Sequence, residues 1–457
     1  MLKNTKEYID IFIVAGAFFL EVLDATIFTP GLKIIANDFN VSLGYATITI
    51  AAYVCALAVF TPLSLNFLNG INNRKKFLGG VVVVIISSLF CALSSNIYIL
   101  GGSRILQGIG ASIIVPAGRT IALKNVQKTD IPIVMAYLVW PALIAPIFAP
   151  ILGGYLSQYY GWRCLFIVIS AMATFILIAS AIWLSNDKLD KNEIRNLNVK
   201  NTFLWGGVIL SLFIFFMLIS IKELRLIFIP SITMIFFLFY FIKSQDGTIN
   251  SHEIISKSLF RLNLFSGSFF RIAIYCFPVF LTIELIIVFG YTPLDSGKCI
   301  VFIFLGNLIV KPIAAILISN LKNIRLFFIT SSFVTFLSVL PFWDINLYKN
   351  INYLYLFCFI HGVSRSFQFL GYSSVAFYQL EKKHLYEANV IMNSAMQLNA
   401  LLGQAIPAVI LTFAEMAILS KEYFFNLTHI SVFVVGFFLF IPLILAFSID
   451  FKNGSCD

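Results

Sequence analysis

The sequence predicts an all-α polytopic membrane protein with about fourteen spans, each near the ~20 residues that a bilayer requires. Composition is the first observation: 60% of the 457 residues are hydrophobic and 11% are charged, whereas a soluble domain has about 45–50% apolar and about 25% charged residues. The second observation is that apolar stretches of spanning length recur from one end of the chain to the other. The third is that these stretches are continuous, whereas a membrane β-barrel needs alternation.

The predicted spans follow one another with short polar connections. No small-residue cleavage site follows the first apolar stretch, so we interpret it as a span rather than a signal peptide. The seventh and eighth spans are separated only by Lys222–Arg225, which predicts a two-helix hairpin. The spans lie at about 9–30, 45–67, 77–95, 98–120, 131–157, 162–184, 202–221, 226–242, 263–289, 299–319, 326–343, 353–378, 389–418 and 429–448.

Charge in the connecting segments predicts the orientation of the chain. With the N-terminus in the cytoplasm, most of the 31 Lys and Arg residues fall in cytoplasmic segments, as the positive-inside rule requires. The net charge of +10 is then a sorting signal, and we expect no nucleic-acid partner. The sequence therefore predicts a multi-pass protein of the bacterial inner membrane with both termini in the cytoplasm.

Two polar segments divide the chain. They are Ser185–Lys200 and Lys243–Arg261, and they flank the predicted hairpin. We therefore predict six spans in residues 1–184, cytoplasmic linkers and a two-span insert in 185–262, and six further spans in 263–457.

The sequence shows no pattern for enzyme, metal or cofactor chemistry. The Ser296-Gly297-Lys298 segment lacks the earlier glycine of a phosphate-binding loop, because Thr292 stands there. The four His residues are scattered, and no Cys/His cluster has metal-ligand spacing. We expect no cofactor and no enzymatic activity, and any transport is expected to draw on an ion gradient.

Charged residues inside the predicted spans are the strongest functional signal, because each costs at least ~2.5–3.5 kcal/mol near the bilayer centre. Glu21 and Asp24 lie three residues apart in span 1 and share one helix face. Arg104 in span 4 lies at about the depth of Asp24. Burial disfavours a charged carboxylate and a nearby arginine favours it, so such a pair can exchange a proton near neutral pH. The alternative is a static ion pair that only fixes helix packing.

Spans 4 and 5 have unusual compositions. Gln107 follows Arg104 by three residues, and small residues beside it permit close helix packing. Span 5 contains three prolines and two glycines, which a membrane helix tolerates where neighbouring groups satisfy its backbone. Such a helix can bend during alternating access, although a merely kinked packing helix is the alternative. The span 5 residues that we single out are Pro146, Pro150, Gly153 and Gly154.

These motifs together resemble a known family. They are Leu23-Asp24-Ala25-Thr26-Ile27 in span 1, Arg104-x-x-Gln107-Gly108-x-Gly110 in span 4, Val115-Pro116-Ala117-Gly118-Arg119 at its end, and the Pro/Gly pattern of span 5 with Gly161-Trp162-Arg163 after it. The combination resembles the major facilitator superfamily, and within it the 14-helix drug:proton antiporter family of the EmrB/QacA type. The resemblance covers essentially the whole chain. It implies two six-helix bundles around a central cavity, with the hairpin beside them.

The resemblance also implies export of hydrophobic or amphipathic compounds in exchange for protons. By the same resemblance, Asp24, Glu21, Arg104 and Gln107 serve coupling and gating, and span 5 is the antiporter helix. The chain departs from the family pattern after span 2, where the acidic and basic residues of the usual loop are replaced. Other departures are two alanines for glycines in span 5 and a lysine for a proline. These departures, which point to a specialised substrate, are Asn69, Gly70, Ala145, Ala149 and Lys33.

The second half supplies candidate substrate-cavity residues. They are Arg271 and Glu284 in span 9, Lys311 in span 10, and His361 and Arg365 in span 12. A histidine side chain can titrate in the physiological range, and a hydrogen-bonded structural role for His361 is the alternative. The excess of cations suggests tolerance for an anionic or carboxylate-bearing substrate.

We therefore expect a secondary active transporter that exports a drug-like or siderophore-like compound in exchange for protons. An importer or symporter of a metabolite on the same fold is one alternative, and a membrane sensor without transport is another. The expected partners are a small-molecule substrate, protons and the lipid bilayer, and the sequence does not identify a periplasmic adaptor.

Overall fold

The described residues of the computed structural model are predominantly helical and include no strand, which confirms the predicted all-α class. These ranges are 5–68, 70–124, 126, 131–185, 199–244, 251–319, 323–376, 379–380, 385–417 and 422–448. The first unit's α-helices are α1 (Thr5–Thr26), α2 (Leu32–Asp38), α3 (Leu43–Phe67), α4 (Asn73–Ala92), α5 (Ile97–Leu123), α6 (Ile131–Tyr159), α7 (Arg163–Trp183), α8 (Val199–Ser220) and α9 (Phe228–Ser244). Next come α10 (Ser251–Ser256), α11 (Ser258–Ile287), α12 (Pro293–Ser319), α13 (Ile324–Leu337), α14 (Ile351–Val375), α15 (Leu385–Ala417) and α16 (Glu422–Ser448).

A helical segment stands at each of the fourteen predicted spans. Among the described residues, 13 helical segments are long and apolar enough to cross a membrane. The remaining predicted span is α14, whose 25 residues suffice for a crossing of about 37 Å. Its apolar run is interrupted by His361, Arg365 and Gln368. The polytopic membrane fold is therefore confirmed.

The seventh and eighth spans form the predicted hairpin. The turn after α8 is closed by hydrogen bonds from the Lys222 amide to the Ile219 carbonyl (3.0 Å) and from the Glu223 amide to the Leu218 carbonyl (2.9 Å). Lys222 adopts a left-handed conformation with φ of 65°, which lets the chain reverse at once. α8 packs against α3. The exposed large hydrophobic side chains of α9 are Phe228, Ile229, Ile232, Ile235, Phe236, Leu238, Phe239 and Tyr240.

The described helices divide into two compact units, Met1–Phe241 and Ile242–Asp457. In the first unit α1 packs against α6 and α7, α5 packs against α3 and α4, and α4 also contacts α7. In the second unit α11 packs against α15 and α16, α14 packs against α12 and α13, and α13 also contacts α16. The same pairing therefore occurs twice along the chain, as in transporters built from internal repeats. The three-part division from the sequence stays a prediction.

Polar contacts at the helix ends repeat as well. An asparagine caps the N-terminus of α4, and another caps α13. In α4, Arg74 donates to the Ala181 carbonyl of α7 at 2.6 Å. In α13, Arg325 donates to the Phe447 carbonyl of α16 at 2.7 Å. Of the family-pattern departures near this position, Gly70 has a left-handed φ of 84°, and Asn69 lies outside the described residues.

One glycine in each unit lets the central helix approach its neighbour. A Cβ atom on Gly108 in α5 would meet the Tyr53 carbonyl oxygen of α3. A Cβ atom on Gly362 in α14 would meet the Ile303 carbonyl oxygen of α12. Both glycines lie within one turn of an arginine, so close backbone packing fixes the depth of Arg104 and of Arg365.

Candidate functional site

The first unit holds a buried ion pair between Asp24 of α1 and Arg104 of α5. The Nη1 atom of Arg104 donates to Oδ1 of Asp24 at 2.8 Å. Both side chains are almost fully buried, with exposed fractions of 2% and 3%. The structure therefore brings together two of the three intramembrane charges that the sequence singled out in this half.

Gln107 extends this ion pair toward α4. The same Nη1 atom of Arg104 donates to Oε1 of Gln107 at 2.7 Å, and Nε2 of Gln107 donates to the Ser88 hydroxyl at 2.8 Å. Ser88 in turn donates to the Val84 carbonyl at 2.6 Å. Three helices are thus linked through one guanidinium, so a change at Asp24 is coupled by hydrogen bonds to α4 and α5.

Two aromatic rings enclose the Arg104 guanidinium. Its Cζ atom lies 4.6 Å from the ring centre of Phe28 and 4.4 Å from that of Tyr53. Cation–π contacts of this kind stabilise a buried arginine. Its Nη2 atom has no hydrogen-bond partner among the described residues. The sequence analysis did not identify the two aromatic residues or Ser88, because uncharged residues in apolar spans give no composition signal.

Glu21 lies one turn from Asp24 but outside the ion pair. Its side chain is partly exposed, and its backbone carbonyl accepts a 3.4 Å hydrogen bond from the Tyr53 hydroxyl. Arg119 is the basic residue whose charge acts on Glu21. The two acidic residues of span 1 therefore face different cations, Arg104 and Arg119.

α6 is a continuous helix despite Pro141, Pro146 and Pro150. It packs closely against α1, because a Cβ atom on Gly153 would meet the Ile27 carbonyl oxygen. Ser157 donates to the Gly153 carbonyl at 2.5 Å and to the Gly154 carbonyl at 3.2 Å. Asp24 is three residues before Ile27, so α6 lies beside the helix that carries the ion pair. Bending of this helix stays a prediction.

The second unit repeats part of this arrangement around Arg365 of α14. Gln368 follows by three residues, and its Nε2 atom donates to the Ser332 hydroxyl of α13 at 2.9 Å, as Gln107 does to Ser88. The Cζ atom of Arg365 lies 4.9 Å from the ring centre of Phe304 in α12. The recurrence of Arg-x-x-Gln in spans 4 and 12 is a sequence signal that could have identified the pair of sites.

No carboxylate among the described residues forms an ion pair with Arg365. On α11, the helix that corresponds to α1, the Tyr275 phenol lies within electrostatic range of Arg365. The charges of Arg271 and Arg365 both act on Tyr275, and that of Arg365 also reaches Lys311. Tyr275 and Lys311 therefore both lie within electrostatic range of Arg365, and Tyr275 also lies within range of Arg271.

Arg271 is held by hydrogen bonds along its own helix. Its Nη2 atom donates to Oδ1 of Asn263 at 2.6 Å, and its Nη1 atom donates to the Asn263 carbonyl at 3.2 Å. The Nδ2 atom of Asn263 donates to the Tyr372 carbonyl at 2.9 Å. Arg271 therefore interacts with neutral acceptors only, within the part of the chain that the structure describes.

Glu284 is separated from these cations. It is 13 positions beyond Arg271 on α11, which is about 20 Å along a helix. The Ser431 hydroxyl donates to its Oε1 atom, and the Tyr348 hydroxyl lies 3.4 Å from its Oε2 atom. Glu284 therefore does not neutralise Arg271 or Arg365.

His361 is packed in the core of the second unit. Its Nδ1 atom shares a 2.8 Å hydrogen bond with the Ser338 hydroxyl, and its ring lies 4.5 Å from that of Phe277. Its Nε2 atom has no hydrogen-bond partner among the described residues. The hydrogen bond at Nδ1 fits the alternative prediction, in which His361 is a hydrogen-bonded structural histidine. The Nε2 atom takes no part in that hydrogen bond.

The chemical feature that both units share is a set of charged side chains buried within membrane-spanning helices. Among the described residues, no group of three or more His, Cys, Asp or Glu side chains is placed to hold a metal ion. What the two units offer is a buried acid–base pair in one and an unneutralised arginine in the other.

Comparisons with known proteins agree with this architecture. The family model of the Major Facilitator Superfamily matches residues 14–403. The chain is 25% identical over 418 residues to the putative multidrug resistance protein MdtD of Salmonella dublin, covering 88% of this chain and 86% of that protein. It is also 25% identical over 423 residues to the protein of the same name from Pectobacterium carotovorum, covering 90% and 88%.

Solved structures share the fold at low sequence identity. A crystal structure of a POT family transporter in complex with 5-aminolevulinic acid matches with a TM-score of 0.64, 15% identity, and coverage of 97% and 96%. A bacterial homologue of the human lysosomal transporter Spinster matches with a TM-score of 0.71, 10% identity, and coverage of 98% and 97%. With a family model that spans most of the helices and both units, the chain belongs to the major facilitator superfamily and is a multi-pass secondary transporter.

Proposed function

We propose that this transporter exports a small organic compound in exchange for protons, and that Asp24 is the proton-binding group. The buried Asp24–Arg104 ion pair, with its 2.8 Å contact, is the observation that carries the proposal. Charged residues inside spans are costly and mark ion pathways and proton relays. An ion pair that only fixed helix packing would give little stability for its desolvation cost.

The geometry supports a simple coupling step. Protonation of Asp24 removes the negative charge that holds Arg104, while Gln107 remains as a neutral acceptor. The guanidinium then keeps its contacts with Phe28 and Tyr53 but loses its counter-ion. The Asp24–Arg104 contact is then made in one state of the transporter and broken in the other. The packing of α1 against α5 and α6 differs between these two states. Pro146, Pro150 and Gly154 give α6 the flexibility to follow.

Export is the direction that we propose. The relatives carry the name multidrug resistance protein, which favours outward transport over uptake of a metabolite. We propose a drug-like or siderophore-like substrate, and we place Glu21 and Gln107 in the coupling machinery with Asp24 and Arg104. Arg271, Glu284, Lys311, His361 and Arg365 are the proposed substrate residues of the second unit.

The positive-inside distribution supports insertion in a bacterial inner membrane with both termini in the cytoplasm. This orientation places Arg74 and Arg325, which tie helix ends together, on the cytoplasmic side. Protons then enter from the periplasmic side and leave toward the cytoplasm. A periplasmic adaptor is not needed for this exchange.

Everted membrane vesicles with an imposed acid interior test the proposal. We expect the wild-type protein to drive accumulation of a fluorescent probe, with ethidium as the cationic probe and carboxyfluorescein as the anionic one. Asp24→Asn removes the titrating group and is expected to abolish the gradient-dependent accumulation. Asp295→Asn is the matched control, because Asp295 pairs with Lys298 at the partly exposed start of α12.

Two results contradict the proposal. One is accumulation of a probe that is the same with and without the pH gradient. The other is an Asp24→Asn variant that exports as well as the wild type under the gradient. Both assign the Asp24–Arg104 pair to helix packing alone.

A further inference from the structure

The two units differ in the counter-ion of their repeated arginine site. In the first, Arg104 has the carboxylate of Asp24 as counter-ion. In the second, Arg365 is 5% exposed and no described carboxylate lies within ion-pair distance. Its Nη1 atom is buried without a hydrogen-bond partner among the described residues. A buried cation without a partner is unfavourable, so the second unit is built to receive a negative charge.

The surroundings of Arg365 add further donors. Tyr275 and Lys311 are both partly exposed, and both lie within electrostatic range of Arg365. Tyr275 supplies a phenol and Lys311 an ammonium group, each able to donate to an oxyanion. Both side chains expose more surface than Arg365 does, so we expect a ligand to approach the arginine from their side.

Among the described residues, the carboxylate that is buried in this unit belongs to Glu284, and it does not fill the site. Glu284 is bound by Ser431 and Tyr348 and lies on α11 about 14 Å beyond Tyr275 by helix rise. Arg271 adds a second cation within range of Tyr275, and its acceptors are neutral.

We infer that Arg365, Tyr275 and Lys311 form a binding subsite for the carboxylate group of an organic anion carried by this transporter. The inference rests on the proposed transport function and names the class of its substrate. A guanidinium is suited to the planar geometry of a carboxylate. The Phe304 ring beside Arg365 gives the subsite an apolar wall, so it favours an aromatic or amphipathic carboxylate over a small inorganic anion.

Equilibrium binding to purified protein in neutral detergent tests the subsite without any gradient. Carboxyfluorescein is the probe, and fluorescence anisotropy is the measurement. Arg365→Gln is expected to weaken binding by about tenfold or more, which corresponds to the loss of one charge-assisted hydrogen bond. Lys349→Gln is the control, because it removes one charge from an exposed lysine of the same unit and is expected to change nothing.

A substitution at Tyr275 tests the comparison between the units directly. Tyr275→Asp introduces a carboxylate within electrostatic range of Arg365, which gives this arginine a negative charge as Asp24 does for Arg104, and it is expected to block the probe. Tyr275→Asn has nearly the same size as the aspartate variant and no charge, so it is expected to bind at least about fivefold more tightly than the aspartate variant. Equal binding by the two variants, in monodisperse preparations, overturns the inference.

An anionic lipid headgroup is the other source of a negative charge. Binding of carboxyfluorescein is therefore compared in nanodiscs of phosphatidylcholine and of phosphatidylglycerol. Binding in both, with the same loss in Arg365→Gln, supports the inference. An Arg365-dependent stabilisation by phosphatidylglycerol, with no carboxyfluorescein binding in phosphatidylcholine, assigns the site to lipid and overturns it.

Failure of this inference is distinct from failure of proton-coupled export. If Asp24-dependent export of ethidium is observed and carboxyfluorescein neither binds nor is transported, the export proposal stands and the carboxylate subsite is wrong. If carboxyfluorescein binds with the expected Arg365 dependence but no probe follows the pH gradient, the subsite stands and the coupling proposal is wrong.

Discussion

Arg104 shows how a single residue can be both buried and poised to change. It is enclosed by two rings, bonded to Asp24 and Gln107, and still has one buried nitrogen without a described partner. A side chain held in this way is stable only while its counter-ion remains charged.

Removing one member of the pair is therefore predicted to destabilise the protein. We expect Arg104→Gln or Asp24→Asn alone to lower the free energy of unfolding by about 3–5 kcal/mol, because each leaves the other group buried without its partner. The double variant removes both charges and is expected to be more stable than Arg104→Gln. Thermal unfolding of the purified variants in detergent measures this coupling. Destabilisation of the double variant equal to the sum of the two single effects contradicts it.

The hydroxyl partners of Glu284 allow a second prediction at this scale. Ser431→Ala removes the donor to Oε1 and leaves Tyr348 with a long contact to Oε2. Because a buried carboxylate oxygen then lacks its partner, we expect a loss of about 1–3 kcal/mol in unfolding free energy. Ser180→Ala is the comparison and is expected to cost less, since the hydroxyl of this buried serine donates to the Ile176 carbonyl of its own helix. An equal loss in both variants contradicts a specific role for Ser431.

The sequence predicted the charged residues of the first site but not their neighbours. Asp24 and Arg104 are conspicuous because charges are rare in apolar spans. Tyr53 and Ser88 are ordinary membrane-helix residues, and only the folded packing of α3 and α4 on α5 brings them to the guanidinium. The lack of a counter-ion at Arg365 is likewise a property of three-dimensional neighbours.

At the scale of elements, hydropathy sufficed to place the helices, because each must span the same apolar thickness. Hydropathy did not predict the interruption of the helix between α1 and α2. The predicted first span ends at residue 30, whereas the helical path continues through a 3₁₀ turn at Thr29–Gly31 into α2. Pro30 explains the change, since it starts a new turn and cannot continue the preceding helix.

The contact between α1 and α6 gives a prediction about helix packing. Gly153→Ala places a methyl group against the Ile27 carbonyl, so the two helices must separate. We expect loss of gradient-driven export and a lower unfolding temperature. Gly102→Ala in α5 is the matched control, because no atom lies within 4 Å of its Cβ position. Alanine is the better helix former by about 1 kcal/mol, so this control is expected to be at least as stable as the wild type.

If Gly153→Ala unfolds at a higher temperature and exports more than Gly102→Ala, the α1–α6 contact accommodates an added methyl group. Export that persists in Gly153→Ala together with wild-type stability would remove Gly153 from the proposed antiporter machinery. Ethidium accumulation and thermal unfolding are measured as for the other variants. The effects on export and on stability are therefore obtained from the same preparations.

At the scale of the whole chain, one helix arrangement is used twice for different purposes. The helix pairings, the asparagine caps, the arginine-to-carbonyl contacts and the Gln–Ser hydrogen bonds all recur. The counter-ion of the central arginine does not. Recurrence in the scaffold and divergence at Asp24 and Tyr275 fit a division in which the first unit handles protons and the second handles substrate.

This division depends on the orientation of the chain, which gives the final prediction. With both termini in the cytoplasm, alkaline phosphatase fused after Lys349, in the segment before α14, is expected to be active, because that segment is periplasmic. The same enzyme fused after Lys200, at the start of α8, is expected to be inactive, and a fluorescent protein at the C-terminus is expected to be fluorescent. The reason is the concentration of Lys and Arg in the segments assigned to the cytoplasm. Phosphatase activity after Lys200 with none after Lys349 would show that the chain has the opposite orientation in the membrane. Asp24 would then receive protons from the cytoplasmic side.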